Sequence, residues 1–362
     1  MSMNGGVKLL PPPVTLSPIR RRLRTSLFQL TGALFVLFFL SFCTLPHPSA
    51  FSLSSTIEAF QQKTAPHLKH YQDLLSPSAS SNDDTTQAGQ GKEAYVTFLS
   101  SVADQNYLLA TRLLIYQLLH DPLTSDRTTS RDVVVLVTPS IDSDVEQILR
   151  DEGALVNRVE LLDGFPVPKE IEGDENHHWK DQYTKLHIFA MTSYDRVLYL
   201  DNDVLLLNSL APIWTSPGSE LESGLGGVGE RKKEELVESD KRIEPLSQEE
   251  ERSYLNAGFM MLRPDQERFD TLRQIRDYEP FYMEQALLNS YYDWDGDHPW
   301  TLLDPKFVSH FPKASDITNG YYTLHAKMWK DPIDQAVIDV WKGAMDRMER
   351  YWATRQDASA YE

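Results

Sequence analysis

The stretch Arg196–Leu207, RVLYLDNDVLLL, decides how the chain is read. Val197, Leu198, Tyr199 and Leu200 form the short apolar run of a buried strand. The run stops on two carboxylates, Asp201 and Asp203, with only Asn202 between them. A charge leaving a buried strand is costly unless it is paired, hydrated or holding a metal. In an open α/β sheet, ligands gather at the carboxyl ends of strands. Two hard oxygen ligands placed there suit Mg²⁺ or Mn²⁺ shared with a diphosphate.

Strands and helices alternate on both sides of this stretch. Tyr95–Ser101 alternates as a strand, and Asp104 can cap a helix to about His120 with Tyr107, Ala110, Leu114 and Leu118 on one face. Strands are predicted at Asp132–Thr138 and Ala154–Leu162, and helices at Asp142–Asp151 and Tyr183–Tyr194. Downstream, Tyr254–Leu262 reads as a strand, Gln266–Arg276 and Phe281–Tyr291 as helices, and Thr301–Leu303 and Tyr322–Leu324 as short strands. A helical tail is predicted over Pro332–Trp352. The alternation predicts an α/β fold with a Rossmann-like, mostly parallel sheet flanked by helices. The first strand is not followed by G-x-G-x-x-G, which disfavours NAD or FAD. Between the two halves, 219–253 is dense in charge and is predicted to be a solvated surface insertion.

Asp-x-Asp occurs four times, and context separates the pairs. Asp142 and Asp144 open a helix, where acids satisfy free N–H groups and the dipole. Asp293, Asp295 and Asp297 have Gly296 at position 4 of the would-be calcium loop and Asp304 at position 12, so the EF-hand pattern fails and a polar turn is predicted. Only Asp201 and Asp203 follow a strand that should be central.

Length and charge bound the rest. The chain has 362 residues, 41% of them hydrophobic, enough for a sizeable core. Residues 1–50 carry five Lys and Arg and no acid, so the remainder holds 30 basic against 53 acidic side chains. That surface repels nucleic acid. Leu27–Leu45 is 19 residues without a charge, preceded by Arg20, Arg21, Arg22 and Arg24. The length and the arginines predict a single-pass type II signal anchor, with 1–26 in the cytosol and the bulk in the lumen of the secretory pathway. A cleaved signal peptide is the alternative. Residues 46–92 read as a flexible stem, 93–352 as the folded domain and 353–362 as a tail. The only cysteine, Cys43, lies in the apolar segment, so the lumenal part has no intrachain disulfide. No Asn-x-Ser/Thr sequon is present.

Taken in order, the motifs over about residues 94–330 resemble glycosyltransferase family 8, the group containing glycogenin and bacterial galactosyltransferases. YVTFLSS with Asp104, Gln105, Asn106 and Tyr107 resembles the family's first strand and uridine-binding loop. YTKLHIF resembles the motif carrying a donor-binding lysine, YLDNDVLLL the metal motif, and YLNAGFMMLRP the Asn-(Ser/Ala)-Gly strand near the sugar. MEQALLN resembles the helix beside the anomeric carbon, and LHAKMW the late His…Lys-x-Trp segment. The resemblance implies a nucleotide-diphospho-sugar transferase fold of the GT-A type. It implies Asp201, Asp203 and His325 as metal ligands, with Mn²⁺ favoured over Mg²⁺ because imidazole joins the carboxylates. It assigns Thr97, Asn106, Tyr107, Lys185, Asn202, Asn256, Ala257, Gly258 and Lys327 to the donor, and Glu284 and Gln285 to catalysis. Lys330 is the alternative to Lys327, because the glycine usual after the histidine is missing. Glu284 stands where the family usually has Asp, and Phe281 where glycogenin-like members carry a further acid.

The implied activity is a retaining transfer of a hexose from a UDP-sugar to a glycan, glycoconjugate or protein acceptor, at the Golgi membrane. Two other readings stay open at this point: a catalytically silent lumenal protein that binds a sugar nucleotide or glycan, and a nucleotide-diphosphate hydrolase using the same metal.

Overall fold

The computed structural model describes residues 92–127, 131–169, 178–230, 254–330 and 332–359. All fall within one unit, Ala88–Glu362. The predicted cytosolic tail, the anchor, the stem up to residue 91 and residues 231–253 of the insertion lie outside the described residues. Among the described residues no helix is long and apolar enough to cross a membrane.

The first half supplies β1 (Glu93–Leu99), α1 (Gln105–Leu119), β2 (Asp132–Val137), α2 (Ser143–Asp151), β3 (Leu155–Arg158), a 3₁₀ helix (His178–Ala190), β4 (Arg196–Leu200) and β5 (Val204–Leu206). The second half supplies β6 (Leu225–Gly229), β7 (Leu255–Leu262), α3 (Gln266–Leu272), α4 (Glu284–Tyr291), β8 (Thr301–Leu302), β9 (Ser309–His310), α5 (Ala314–Thr318), β10 (Thr323–His325) and α6 (Gln335–Ser359). Seven strands form the main sheet in the order β3-β2-β1-β4-β7-β6-β8. Only the two pairings of β7, with β4 and with β6, are antiparallel. The mostly parallel α/β sheet flanked by helices is therefore as expected. A second sheet, β5-β10-β9, stands beside it.

Both faces of the main sheet are covered, which is why its parallel strands read as unbroken apolar runs. Val197 and Tyr199 of β4 pack with Val96, Phe98, Val134 and Leu136 under the 3₁₀ helix, α3 and α4. Leu198 and Leu200 point the other way, with Tyr95, Leu99, Val133 and Val135 under α1 and α2.

Several predicted elements change. The helix predicted at Tyr183–Tyr194 is the 3₁₀ helix His178–Ala190. Its apolar residues Tyr183, Leu186 and Phe189 recur every three positions and are all buried, the spacing that a 3₁₀ helix puts in one row. Asp142 precedes α2 as predicted, but its side chain makes no capping bond. Asp104 does cap α1, accepting from Asn106 N–H at 3.0 Å. Strand β3 is shorter than Ala154–Leu162, and α6 runs past Trp352 to Ser359.

The largest correction concerns the insertion. Its first part is no solvated surface: β6 is buried throughout, between β7 and β8. The letters GLGGVG at Gly224–Gly229 do have the G-x-G-x-x-G spacing, yet they form this strand rather than a strand-to-helix turn. Close packing is the reason for the glycines. A Cβ on Gly226 would sit 2.7 Å from Leu221 Cδ2, and one on Gly227 would collide with Leu255.

Candidate metal and donor site

The turn after β4 distributes two carboxylates between the two sheets. Asp201 continues β4 alongside β7, its N–H donating to Gly258 O at 2.8 Å. Val204 N–H then donates to Asp201 O at 3.1 Å, and the chain leaves the main sheet as β5. β5 pairs antiparallel with β10, placing Val204 opposite His325. A strand of three residues thus carries His325 to the aspartates across more than a hundred positions of sequence.

Asp201, Asp203 and His325 each offer a ligand atom within 4.8 Å of the others. His325 Nε2 is 3.1 Å from Asp203 Oδ1 and 3.8 Å from Asp201 Oδ2. Asp203 is buried, and its Oδ1 accepts no well-angled hydrogen bond. Burial alone would raise the Asp203 carboxyl, but Lys327 and His325 outweigh it and hold the group well below its ordinary value. Burial works against charge on His325 as well, and the two aspartates reverse it, so the imidazole is raised. A buried, negative oxygen with no well-angled hydrogen bond, facing an imidazole, is a donor set that a divalent cation fits. Gly258 keeps the space open: a Cβ there would lie 2.7 Å from Asp201 Oδ2 and collide with His325 Cε1.

Lys185 is buried between two carboxylates, with Nζ 3.0 Å from Asp201 Oδ1 and 2.7 Å from Glu284 Oε1. Burial opposes its charge, yet those two acids outweigh it and keep the ammonium above its ordinary value. Burial pushes Glu284 up, with Lys185 opposing. The side chain predicted to contact the donor therefore joins the metal side of the site to the Glu284 side. Gln285 is held at both ends: its Oε1 accepts from Ala257 N–H at 2.8 Å and its Nε2 donates to Glu230 Oε2 at 2.9 Å. Asn256 Oδ1 accepts from Gly258 N–H at 2.8 Å. Lys327 Nζ lies 3.4 Å from Asp203 Oδ2, while Lys330 is exposed, its N–H donating to Lys327 O.

The remaining predicted donor residues lie on β1, at the start of α1 and in the turn between the two aspartates. Tyr107 is half-buried and meets Trp329 edge-on, ring centroids 5.3 Å apart; burial raises its phenol, with Lys327 opposing. Asn106 bonds Asp104 Oδ1 at the start of α1. Asn202 donates to Phe98 O and Thr111 Oγ1 in long bonds of 3.4 and 3.3 Å. Thr97 is buried within β1, its hydroxyl unpartnered.

Five contributors were not assigned from sequence. Tyr199 reads as a core residue, yet its hydroxyl donates to Asp201 Oδ1 at 2.7 Å. Glu230 follows β6 as Asp201 follows β4; the glycine-rich strand hid that signal. Asn289 binds both backbone groups of Leu255 at 2.7 and 2.9 Å, fixing α4 against β7. His310 lies opposite His325 in the small sheet, ring centroids 5.5 Å apart. Trp329 is the fifth; it closes the LHAKMW segment, which was read for its histidine and lysine only.

Fold and site together define an α/β protein with a carboxylate–histidine cluster at the end of its central strand. The chain belongs to glycosyl transferase family 8, whose pattern it matches over residues 98–278, half its length. It is 23% identical to an uncharacterized protein of Schizosaccharomyces pombe over 278 residues, 66% of this chain and 74% of that one. It is 27% identical over 203 residues to inositol phosphorylceramide glucuronosyltransferase 1 of Arabidopsis thaliana, spanning 56% of this chain but 30% of that protein. Galactinol synthase 5 of the same plant is 25% identical over 230 residues, 58% of this chain and 64% of that one. Among solved structures, it is similar to the WbbM bifunctional glycosyltransferase (TM-score 0.44, 14% identity, 67% of this chain and 46% of that one). Similarity to glycosyltransferase GlyE of Streptococcus pneumoniae TIGR4 is comparable (TM-score 0.43, 15% identity, 73% of this chain and 65% of that one).

Proposed function

We propose that this family 8 member is a retaining hexosyltransferase that uses Mn²⁺ and a UDP-sugar, with a glycan, glycoconjugate or protein as acceptor. The observation that carries the reading is the cluster of Asp201, Asp203 and His325, with the buried Oδ1 of Asp203 turned toward the imidazole at 3.1 Å. Mixed carboxylate and imidazole ligands favour Mn²⁺ over Mg²⁺. Bound there, the ion would supply Lewis-acid stabilisation of a diphosphate leaving group. Lys327, 3.4 Å from Asp203, brings a second positive charge to the same region. Lys185 and Tyr199 hold Asp201 Oδ1, leaving Oδ2 toward His325. Glu284 and the clamped Gln285 present oxygen and amide dipoles to the cationic sugar of an oxocarbenium-like transition state. In the transfer, the bond from the anomeric carbon to the diphosphate oxygen breaks and its electron pair leaves with UDP. The acceptor hydroxyl oxygen bonds to the anomeric carbon, and its proton passes to the departing phosphate. The arginine-flanked apolar stretch 27–45 supports a type II anchor and a Golgi lumenal location.

The test is UDP release by the full-length protein from UDP-glucose, UDP-galactose, UDP-N-acetylglucosamine and UDP-glucuronate, with Mn²⁺ and with or without acceptors. Asp203→Ala and His325→Ala should abolish transfer while circular dichroism stays unchanged. Full activity in both variants refutes the site. Transfer only to water favours a hydrolase, and UDP binding without turnover favours a silent binding protein. Protease protection of the C-terminal bulk on microsomes tests the anchor.

A further inference from the structure

The site continues past the metal cluster along one strand. β7 overhangs the end of β4, because Leu200 pairs with Phe259 and the residues before Phe259 run on beyond it. Going back along β7, Gly258 faces the metal cluster, Ala257 N–H holds Gln285, and Leu255 holds Asn289. The next residue is Tyr254, whose carbonyl accepts from Glu230 N–H at 2.6 Å. At about 3.4 Å per residue, Gly258 to Tyr254 covers roughly 14 Å, comparable to the length of two linked sugar rings.

An aromatic wall stands at that far end. Tyr282 tilts against Tyr254 with centroids 5.9 Å apart, and Phe281 meets Tyr282 edge-on at 4.6 Å. All three residues are half-buried, with the Tyr254 hydroxyl sunk beside Gln285. The wall is rigidly joined to the catalytic pair. Gln285 N–H donates to Tyr282 O at 3.0 Å, closing a turn in which Met283 takes φ 50° and ψ −123°. These are type II′ angles, normally taken by glycine. The Met283 side chain is buried in the main core, so the turn cannot relax without unpacking it. Phe281 and Tyr282 therefore cannot shift independently of Glu284 and Gln285.

Aromatic faces beside a carboxylate and an amide match the two surfaces of a pyranose, apolar C–H on one side and hydroxyls around the rim. A serine hydroxyl or a small acyclic polyol has no ring face to lay on such a wall. We propose that Phe281, Tyr282 and Tyr254 form the acceptor subsite, and that the acceptor presents a pyranose ring there, with Glu230 accepting from one of its hydroxyls. This rests on the transferase reading above.

The experiment uses full-length protein in detergent micelles with Mn²⁺ and the same four UDP-sugars. UDP release is followed alone and with methyl β-glucopyranoside, methyl β-galactopyranoside, glycerol or a seryl peptide. A pyranoside should accelerate release saturably. Phe281→Ala should raise its KM at least tenfold while moving the donor KM less than twofold, and Phe281→Trp should restore the acceptor KM. Tyr282→Leu gives the same split if Phe281→Ala does not fold. Saturable stimulation by glycerol or the peptide but by neither pyranoside overturns the assignment, as does a Phe281→Ala effect equal on both KM values. Mn²⁺-dependent UDP binding or release that no pyranoside accelerates overturns this inference alone. Absence of both UDP release and Mn²⁺-dependent UDP binding overturns the transferase reading with it.

Discussion

Gly258→Ala separates the site from the fold more cleanly than any ligand substitution. Gly258 does not take a positive φ, so its backbone accepts alanine without strain. The whole cost falls on three neighbours. The new Cβ would lie 2.7 Å from Asp201 Oδ2 and 3.0 Å from Asn256 Oδ1, and in collision with His325 Cε1. Asp201 cannot retreat easily, because Lys185 and Tyr199 hold its other oxygen. His325 ends a strand of three residues and is the group that must move. Relief requires a shift of about 1 Å, whereas metal–ligand distances tolerate roughly ±0.2 Å. Disturbing groups behind the ligands typically costs 10–100-fold in metal affinity, and displacing a ligand itself should reach about 100-fold or more. Overpacking should cost about 1–3 kcal/mol of stability, a fall in Tm of at most ~10 °C. Mn²⁺ titration followed by electron paramagnetic resonance, beside a thermal melt of the metal-free protein, reads both quantities. Affinity within about threefold of the parent protein would refute the placement of the ion between these three side chains.

Lys185→Met strands Glu284 in the interior and should lower stability by about 3–5 kcal/mol, whereas Lys185→Met with Glu284→Leu should recover most of it in chemical denaturation yet stay inactive. Arg347→Ala removes the partner of Asp121, a fully buried carboxylate at 2.8 Å, and because Arg347 itself is partly exposed the loss should sit near the lower end of that range, about 3 kcal/mol by the same assay. His120 gives a pH test: burial lowers its pKa from 6.5, against a hydrogen bond to Glu152 O. The unfolded chain then binds the proton first as pH falls, so this contribution to stability is complete above the unfolded value and is lost as pH falls from there through the lower folded value. His120→Gln should flatten the fall in Tm between about pH 7.5 and 5.5 in differential scanning fluorimetry; an unchanged slope would count against the burial argument.

What the sequence revealed depended on side-chain pattern. β1, β2, β4 and β7 were legible because strands covered on both faces carry unbroken apolar runs. α1 was legible through Asp104 and its apolar stripe. β6 was not, because three of its five buried positions are glycines, with Gly226 and Gly227 packed close against Leu221 and Leu255, and glycine leaves no hydrophobic signal. Missing that strand also concealed Glu230. The aspartates were legible as charge at a strand end, but Tyr199 was counted as core because its ring is core and only its hydroxyl serves Asp201. The strand predicted at Tyr322–Leu324 is β10, one residue on, but β5 and β9 have only three and two residues and were missed, so the pairing of His325 with the aspartates rested on resemblance.

That pairing explains why the site needs the far end of the chain. A carboxylate as buried as Asp203 is unfavourable alone, and the groups facing it, His325 and Lys327, arrive more than 120 residues later. They are held by packing, since Leu324 and Met328 flank them and join Leu205 of β5 in one apolar cluster. The same cluster contains Leu113 and Tyr116 of α1 and Val337, Ala344, Met345 and Met348 of α6. Helix α6 is further pinned to the end of α1 by Arg347 on Asp121 and by Tyr351 stacked on His120. Helix α6 backs the strand that presents one of the ligands. Loosening α6 therefore reaches the cluster through Leu324, and His325 should lose its position before the seven-stranded sheet is disturbed.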